Sequence, residues 1–155
     1  MANGVFNIAK GRVNAYTESV ANGGLENAAL VVVLLQVAQE GANLADSERL
    51  SDVLSASNVE ADFTNYERKV LSDVEPPTTD HTSGVQSADI PDQVWTSAGG
   101  AQNNTLLKLL VCYTPDSVNG TDDQVVPLTY HDFPITTDGS DLLAQVNAVG
   151  FFRAV

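Results

Sequence analysis

The sequence predicts one domain of the α+β class, in which N-terminal helices and a buried strand precede a mainly antiparallel β-sheet or sandwich-like half. Two patterns support this prediction. From residue 85 onward, short apolar runs alternate with Gly, Pro, Asn and Asp, which is typical of strands joined by tight turns. Earlier in the chain, apolar residues repeat at helical spacing on either side of one long apolar run. The 155 residues, 43% hydrophobic and 17% charged, suffice for a core without disulfides or metal.

Two helices are expected in the first part of the chain. Over residues 8–20, apolar side chains recur near one helical face, and the Asn-Gly-Gly of residues 22–24 ends the pattern. We expect Asp46 or Ser47 to cap a second helix, because short polar side chains accept hydrogen bonds from the first N–H groups of a helix. Asn58 closes that second segment.

The run over residues 28–38 is the most apolar segment of the chain. It is far shorter than the roughly 20 residues that a helix needs to cross a bilayer, so we predict a core element. Its consecutive Val31, Val32 and Val33 favour a strand buried on both faces, although a buried helix fits the same apolar run.

Changes in composition divide the chain into a helix-rich part over residues 1–74, an exposed loop over 75–84 and a β-rich part over 85–155. Because two halves of about 75 residues would each have a marginal core, we expect residues 1–155 to form a single domain. The strands expected in the last part are the apolar runs 93–95, 106–113, 124–130, 142–146 and 151–155.

The net charge limits the classes of partner. The chain has a formal charge of −13 and a pI near 4.1, so its field repels nucleic acid and anionic membranes. We therefore expect no direct binding to nucleic acid or to a membrane. The basic residues are too scattered to form a compensating patch in the sequence; they are Lys10, Arg12, Arg49, Arg68, Lys69, Lys108 and Arg153.

The residues that suit catalysis form no complete motif. Cys112 lies in an apolar run and has no second cysteine to pair with, so we interpret it as a small core residue. His131 and Asp132 follow Tyr130 at the end of a predicted strand, where a hydrolase would also need a nucleophile or a metal. We expect a structural role for His131 and predict no catalytic residue, although a hydrolase that uses this pair is the less favoured alternative.

Asp138 and Asp141 surround a tight turn that resembles a fragment of a calcium-binding loop. The segment lacks the distal Glu of such a loop, and hard cations take about six or more oxygen ligands. Asx-turn hydrogen bonds explain the turn without a cation. We predict neither a metal site nor a cofactor, and cation binding at this turn stays open.

Five segments carry a family resemblance that runs from one end of the chain to the other. They resemble small virion-associated proteins of tailed bacteriophages, notably those that infect actinobacteria, whose genes lie among the structural genes near that of the major capsid protein. None of the segments carries an enzymatic signature. The segments are GVFNIAKGRV (residues 4–13), NNTLLKLLVCY (103–113), VVPLTYHDF (125–133), TTDGSDL (136–142) and GFFRA (150–154).

The resemblance implies a virion structural protein, a capsid decoration or minor capsid protein that binds the major capsid protein on the exterior of the head. A tail or host-binding component is the alternative. The first residues lack a secretory signal, which predicts synthesis in the host cytoplasm. Phe6, Lys10 and Arg12, in the basic N-terminal segment, are our candidates for capsid contact. Consecutive Phe151 and Phe152 would point to opposite faces of a strand, which leaves a homo-oligomer open.

Overall fold

The computed structural model describes residues 3–155; Met1 and Ala2, the first residues of the segment from which cytoplasmic synthesis is expected, lie outside the described residues. The described chain is mixed, with 15% helix and 35% strand in antiparallel sheets. The predicted α+β class is therefore confirmed in its coarse form, with β-structure dominating. Within residues 3–155, no helix is long and apolar enough to cross a membrane.

Eleven strands and three α-helices are assigned in the described residues. The helices are α1 (Val13–Ala21), α2 (Gly41–Ala45) and α3 (Leu50–Ser55), and a short 3-10 helix covers Asn7–Ala9. The strands are β1 (Gly4–Val5), β2 (Ala29–Val37), β3 (Val59–Glu60), β4 (Lys69–Leu71), β5 (Thr78–Asp80), β6 (Val85–Ala88), β7 (Gln93–Trp95), β8 (Thr105–Thr114), β9 (Val126–Thr136), β10 (Leu142–Ala144) and β11 (Phe152–Ala154).

Six of these strands form a central sheet in the order β1-β9-β8-β2-β3, with β4 also paired to β2. The predicted strand over residues 28–38 is confirmed as β2, and its first seven residues are buried. A run of Val and Leu forms a strand here because both of its faces are covered. The part of the chain before residue 75 therefore supplies the middle of the sheet as well as the helices.

Strand register assigns the side chains of the central sheet to two faces. Opposed residues on antiparallel neighbours lie on the same face, so Val111 shares a face with Val32 and Thr129, whereas Leu110 shares the other with Val33 and Tyr130. Tyr113 lies on the Val111 face and stacks on Tyr16 of α1 at 4.6 Å. Tyr130 lies on the Leu110 face, with its hydroxyl close to the start of α2, where a Cβ added at Gly41 would lie 3.2 Å from it. We call these the α1 face and the α2 face.

Both predicted helices differ from the expected bounds. The pattern over residues 8–20 is divided into the 3-10 helix and α1, because Gly11 has a φ of +74° that no helix contains. Asp46 ends α2 and does not begin the second helix; Asp52 caps α3 instead, accepting the Arg49 N–H at 3.0 Å.

Asn58, expected to close the second helix, lies beyond the end of α3. Its buried amide accepts a hydrogen bond from the Gln39 N–H at 2.7 Å and donates one to the Val53 carbonyl at 2.9 Å. Asn58 therefore satisfies a carbonyl in the last turn of α3, which agrees with its expected place at the close of this segment, and also joins that turn to the residues after β2.

The segment over residues 75–84 is exposed, as predicted, but it is not an open loop. Thr78–Asp80 form β5, which pairs with β6 across a turn. The Asp80 carboxylate accepts the Thr82 N–H at 2.9 Å and the Ser83 hydroxyl at 2.7 Å. Thus an Asx turn closes a hairpin where proline content alone indicates a loop.

All five predicted strands of the last part are present, and β9 is longer than predicted because it continues to Thr136. Proline is tolerated in β9 at two places. Pro127 lies opposite Cys112, beside a register shift. Pro134 lies between Asp132 and Ile135, within the second register shift between β8 and β9, where the regular ladder of hydrogen bonds is interrupted.

Candidate functional site

His131 and Asp132 do not lie at the end of a strand but within β9, and their side chains point to opposite faces of the sheet. Asp132 lies opposite Lys108 and forms an ion pair with its Nζ at 2.5 Å. Lys108 is fully buried, and its ammonium also lies 5.4 Å from the centre of the Tyr130 ring. The Asp132 carboxylate is thus held by a buried cation and not directed at His131.

His131 lies on the α1 face, where its Nε2 is 2.9 Å from the Thr129 hydroxyl. Burial lowers its pKa below the ordinary value of 6.5, and the positive charge of Lys108 lowers it further. The ring is therefore neutral at neutral pH and hydrogen-bonded to a hydroxyl that belongs to its own strand. The predicted structural role of His131 agrees with these contacts.

Cys112 is completely buried, and burial raises the pKa of its thiol to about 12. Its register partner on β2 is Val31, which places Cys112 on the α2 face and His131 on the other. The sheet therefore separates the only cysteine from the imidazole that would have to activate it.

The acidic turn uses its carboxylates locally. Asp138 Oδ1 accepts the Ser140 N–H at 3.0 Å and the Ser140 hydroxyl, and these bonds lower the pKa of Asp138. Asp141 Oδ1 accepts the Ser97 N–H at 2.8 Å and so attaches the turn to the segment after β7. Within residues 3–155, no group of three or more His, Cys, Asp or Glu side chains is arranged to hold a metal ion.

A charged cluster that the sequence did not indicate surrounds Arg68. Its guanidinium donates two hydrogen bonds to Glu60, both at 2.8 Å, and another to Asp122 Oδ1 at 2.6 Å. The Tyr66 hydroxyl donates to Glu60 at 2.8 Å. Hydrogen bonding to Glu60 and Asp122 raises the pKa of Arg68. The same hydrogen bonds join β3 to the turn before β9. The sequence does not indicate this ion pair, because 54 positions separate Arg68 from Asp122 and local patterns relate only nearby residues.

Two grooves open near the N- and C-terminal strands. The first, of about 660 Å³, has Lys10, Asp46 and Tyr130 in its walls, and we call it the Lys10 groove. The second, of about 640 Å³, lies over the α1 face beside His131 and Thr129, and we call it the His131 groove. Both volumes are in the range of about 300–1,000 Å³ that is usual for binding sites.

The structure places the three predicted contact residues in different environments. Lys10 and Arg12 are exposed between the 3-10 helix and α1, and Lys10 lines its groove. Phe6, in contrast, has no exposed surface, and its ring packs edge-on against Tyr130 with the ring centres 5.4 Å apart. Phe6 is therefore a core residue that anchors the N-terminal segment by packing against Tyr130. Of the three predicted contact residues, only Lys10 and Arg12 are available to a partner.

No protein-family model, curated protein or solved structure matches this chain.

Proposed function

We propose that this protein is a structural component of a tailed-phage virion, a capsid decoration or minor capsid protein that binds the assembled head and stabilises it. The resemblance of five segments to virion-associated proteins leads to this proposal. The side chains that could serve catalysis are committed to structural contacts: Asp132 to Lys108, His131 to Thr129, and Cys112 to the core. With these side chains engaged in structural contacts, binding through the protein surface is the activity to test.

The arrangement of charge is the observation that carries the proposal. Within residues 3–155, Arg68, Lys69 and Lys108 form ion pairs, whereas Lys10, Arg12, Arg49 and Arg153 form none with any carboxylate; of these four, Lys10 and Arg12 are both exposed and lie two positions apart. Even with these two cations included, the chain as a whole carries a formal net charge of −13. A small basic site on an otherwise acidic protein favours one orientation on a partner that carries acidic groups. In the other orientations, the negative charges of the two proteins repel each other.

Many copies on a repeating shell need only weak individual contacts. When neighbouring copies bind at the same time, each binding site has a higher effective concentration of its partner. Weak individual contacts can then give stable binding overall. In this mechanism Lys10 and Arg12 face the major capsid protein, and the acidic remainder of the surface faces the solvent outside the virion.

A reconstruction of the phage particle tests the proposal. We expect density for this protein across the head, and we expect the double variant Lys10→Glu, Arg12→Glu to lower its occupancy. The single variants Lys10→Glu and Arg12→Glu are each compared with Arg49→Glu, which reverses one basic charge at another place on the surface and should leave the occupancy unchanged.

Two results would contradict the proposal. Density confined to a few sites on the tail would favour the alternative, a tail or host-binding component. Complete absence of the protein from purified particles would remove the virion role altogether.

A further inference from the structure

The His131 groove lies between two parts of the protein. Its floor belongs to the α1 face of the central sheet and contains Val32, Leu109 and Val111. Strand register places His131 on this same face, opposite Leu109. The other residues that line the groove come mainly from the last part of the chain, over residues 144–153. The groove is therefore a space between one face of the sheet and a second wall that the C-terminal part supplies.

Pairing and hydrogen bonds hold this C-terminal wall in place. β10 at its start pairs with β7, and β11 at its end pairs with β6. Between these strands, the Val146 N–H donates to Asp92 at 2.7 Å. Gly150 has a φ of +100°, and a Cβ added there would lie 2.3 Å from the Ala88 carbonyl oxygen, so only glycine allows the chain to pass this close to β6. A wall that is fixed in advance lowers the ordering cost of binding a ligand.

His131 brings one unused hydrogen-bonding atom to the groove. Its Nε2 is engaged with the Thr129 hydroxyl at 2.9 Å, whereas its Nδ1 makes no hydrogen bond with any of residues 3–155. Within those residues, the one buried side-chain N or O atom without a partner is Asn14 Oδ1, so Nδ1 is not sealed in the core. His131 lines the groove, and Nδ1 is therefore the atom that a ligand can reach there.

The groove offers no internal partner to a charged ligand. Besides His131, the charged or titratable residues that line it in the described chain are Asp132 and Arg153. The Asp132 side chain points to the α2 face and pairs with Lys108, while Arg153 is exposed. An ionised group buried without a partner costs far more than a neutral one. The total charge of −13 also repels anions, so the groove favours a neutral ligand.

From these features we propose that the His131 groove binds a compact, neutral, apolar molecule that carries one hydroxyl group, such as a phenol. The apolar body lies on Val32, Leu109 and Val111, and the hydroxyl meets Nδ1 of His131. A hydroxyl suits this nitrogen in either tautomer of the ring, because it donates to an unprotonated nitrogen and accepts from a protonated one. The groove volume of about 640 Å³ accommodates a ligand of two aromatic rings.

The first test is an NMR titration of the full chain with three matched compounds, 4-phenylphenol, biphenyl and biphenyl-4-carboxylate. We expect 4-phenylphenol to shift the methyl signals of Val32 and Val111 and the ring signals of His131. It should bind about fivefold more tightly than biphenyl, because it adds one hydrogen bond. It should also bind about fivefold more tightly than biphenyl-4-carboxylate, which has to bury an unpaired charge.

Replacement of the imidazole separates the hydrogen bond from the apolar contacts. In His131→Phe, 4-phenylphenol should lose its advantage over biphenyl, while biphenyl binding stays within about twofold of wild type and shows that the variant is folded. The ¹⁵N chemical shift of Nδ1 in the wild-type chain tests the same contact without a substitution. It should move with 4-phenylphenol and not with biphenyl. An unchanged shift, or a preference that persists in His131→Phe, would overturn the proposal.

Filling the groove provides a positional test. Val149 lines the His131 groove and is 50% exposed, while Val118, in the connection between β8 and β9, is 72% exposed. Val149→Trp should weaken binding of 4-phenylphenol about fivefold by occupying the groove, and Val118→Trp should leave it within about twofold of wild type. Equal effects of the two substitutions would contradict binding in this groove.

Three further results would overturn the proposal. One is the absence of any shift at Val32, Val111 and His131 with 4-phenylphenol, and another is tighter binding of the carboxylate. The third is a wild-type dimer in sedimentation velocity that Val149→Trp dissociates, because a second copy would then cover the groove. The isolated full chain is sufficient for these measurements, so their results do not depend on the proposed virion role.

Discussion

Tyr66 is expected to contribute to stability by filling an interruption in the central sheet. β4 pairs with Leu30–Val32 of β2, and β3 pairs with Leu35 and Val37. The N–H of Leu34 lies between these two short strands and donates to the Tyr66 hydroxyl at 3.2 Å. That hydroxyl in turn donates to Glu60, so it bridges a backbone donor and a carboxylate.

The Tyr66→Phe substitution removes one oxygen from this bridge. Glu60 keeps its two hydrogen bonds from Arg68, so the main loss is at the N–H of Leu34, a residue without exposed surface. A buried donor without a partner costs about 1–3 kcal/mol. We therefore expect the free energy of unfolding to fall by about 2 kcal/mol.

Urea unfolding measures this loss, with the fluorescence of buried Trp95, the only tryptophan, as the signal. Tyr16→Phe is the matched control, because the Tyr16 hydroxyl makes no hydrogen bond with any of residues 3–155 in the structure, and its effect should stay within about 0.5 kcal/mol. The Leu34 amide should also exchange faster with solvent in Tyr66→Phe. A stability loss no larger than that of the control, with unchanged exchange at Leu34, would refute the bridge.

Two further predictions concern the same sheet. Because the pKa of His131 lies below its ordinary 6.5 in the folded state, the unfolded chain binds more protons at mildly acidic pH, and stability should fall as the pH drops below about 6.5. The urea midpoints at several pH values measure this pH dependence of stability, and His131→Gln should weaken it. An unchanged pH dependence in His131→Gln would contradict the assignment to His131. Gly4→Ala should lower the free energy of unfolding by about 1–3 kcal/mol, since the added Cβ would collide with the Tyr130 ring; calorimetry that shows no loss would rule out this close packing.

The sequence predicts the strands of this protein better than its helices. Continuous apolar runs identify β2 and β8, because each has to be buried whichever neighbours it acquires. The helices are short, and their ends depend on one backbone angle at Gly11 and on the Asp52 cap, which apolar spacing does not report. The β5 hairpin lies in a polar segment without an apolar pattern, so it was expected to be a loop.

The candidate site shows the same division. That Lys10 and Arg12 are exposed basic residues on an acidic chain follows from composition and local polarity. That Phe6 is buried does not, because an aromatic side chain near a terminus can pack inward or outward until Tyr130 provides its partner. Arg68 likewise acquires its role only when the fold brings Asp122 to it.

By itself, the sequence predicted the coarse α+β class, the burial of the apolar run over residues 28–38 and the excess of negative charge, since these depend on composition and on neighbours along the chain. Only the tertiary structure decided that His131 and Cys112 lie on opposite faces, and that Val5 of β1 and Phe152 of β11 both line the Lys10 groove and the His131 groove. The physical reason is that strand pairing joins distant residues and sets a register, which decides the face of every side chain.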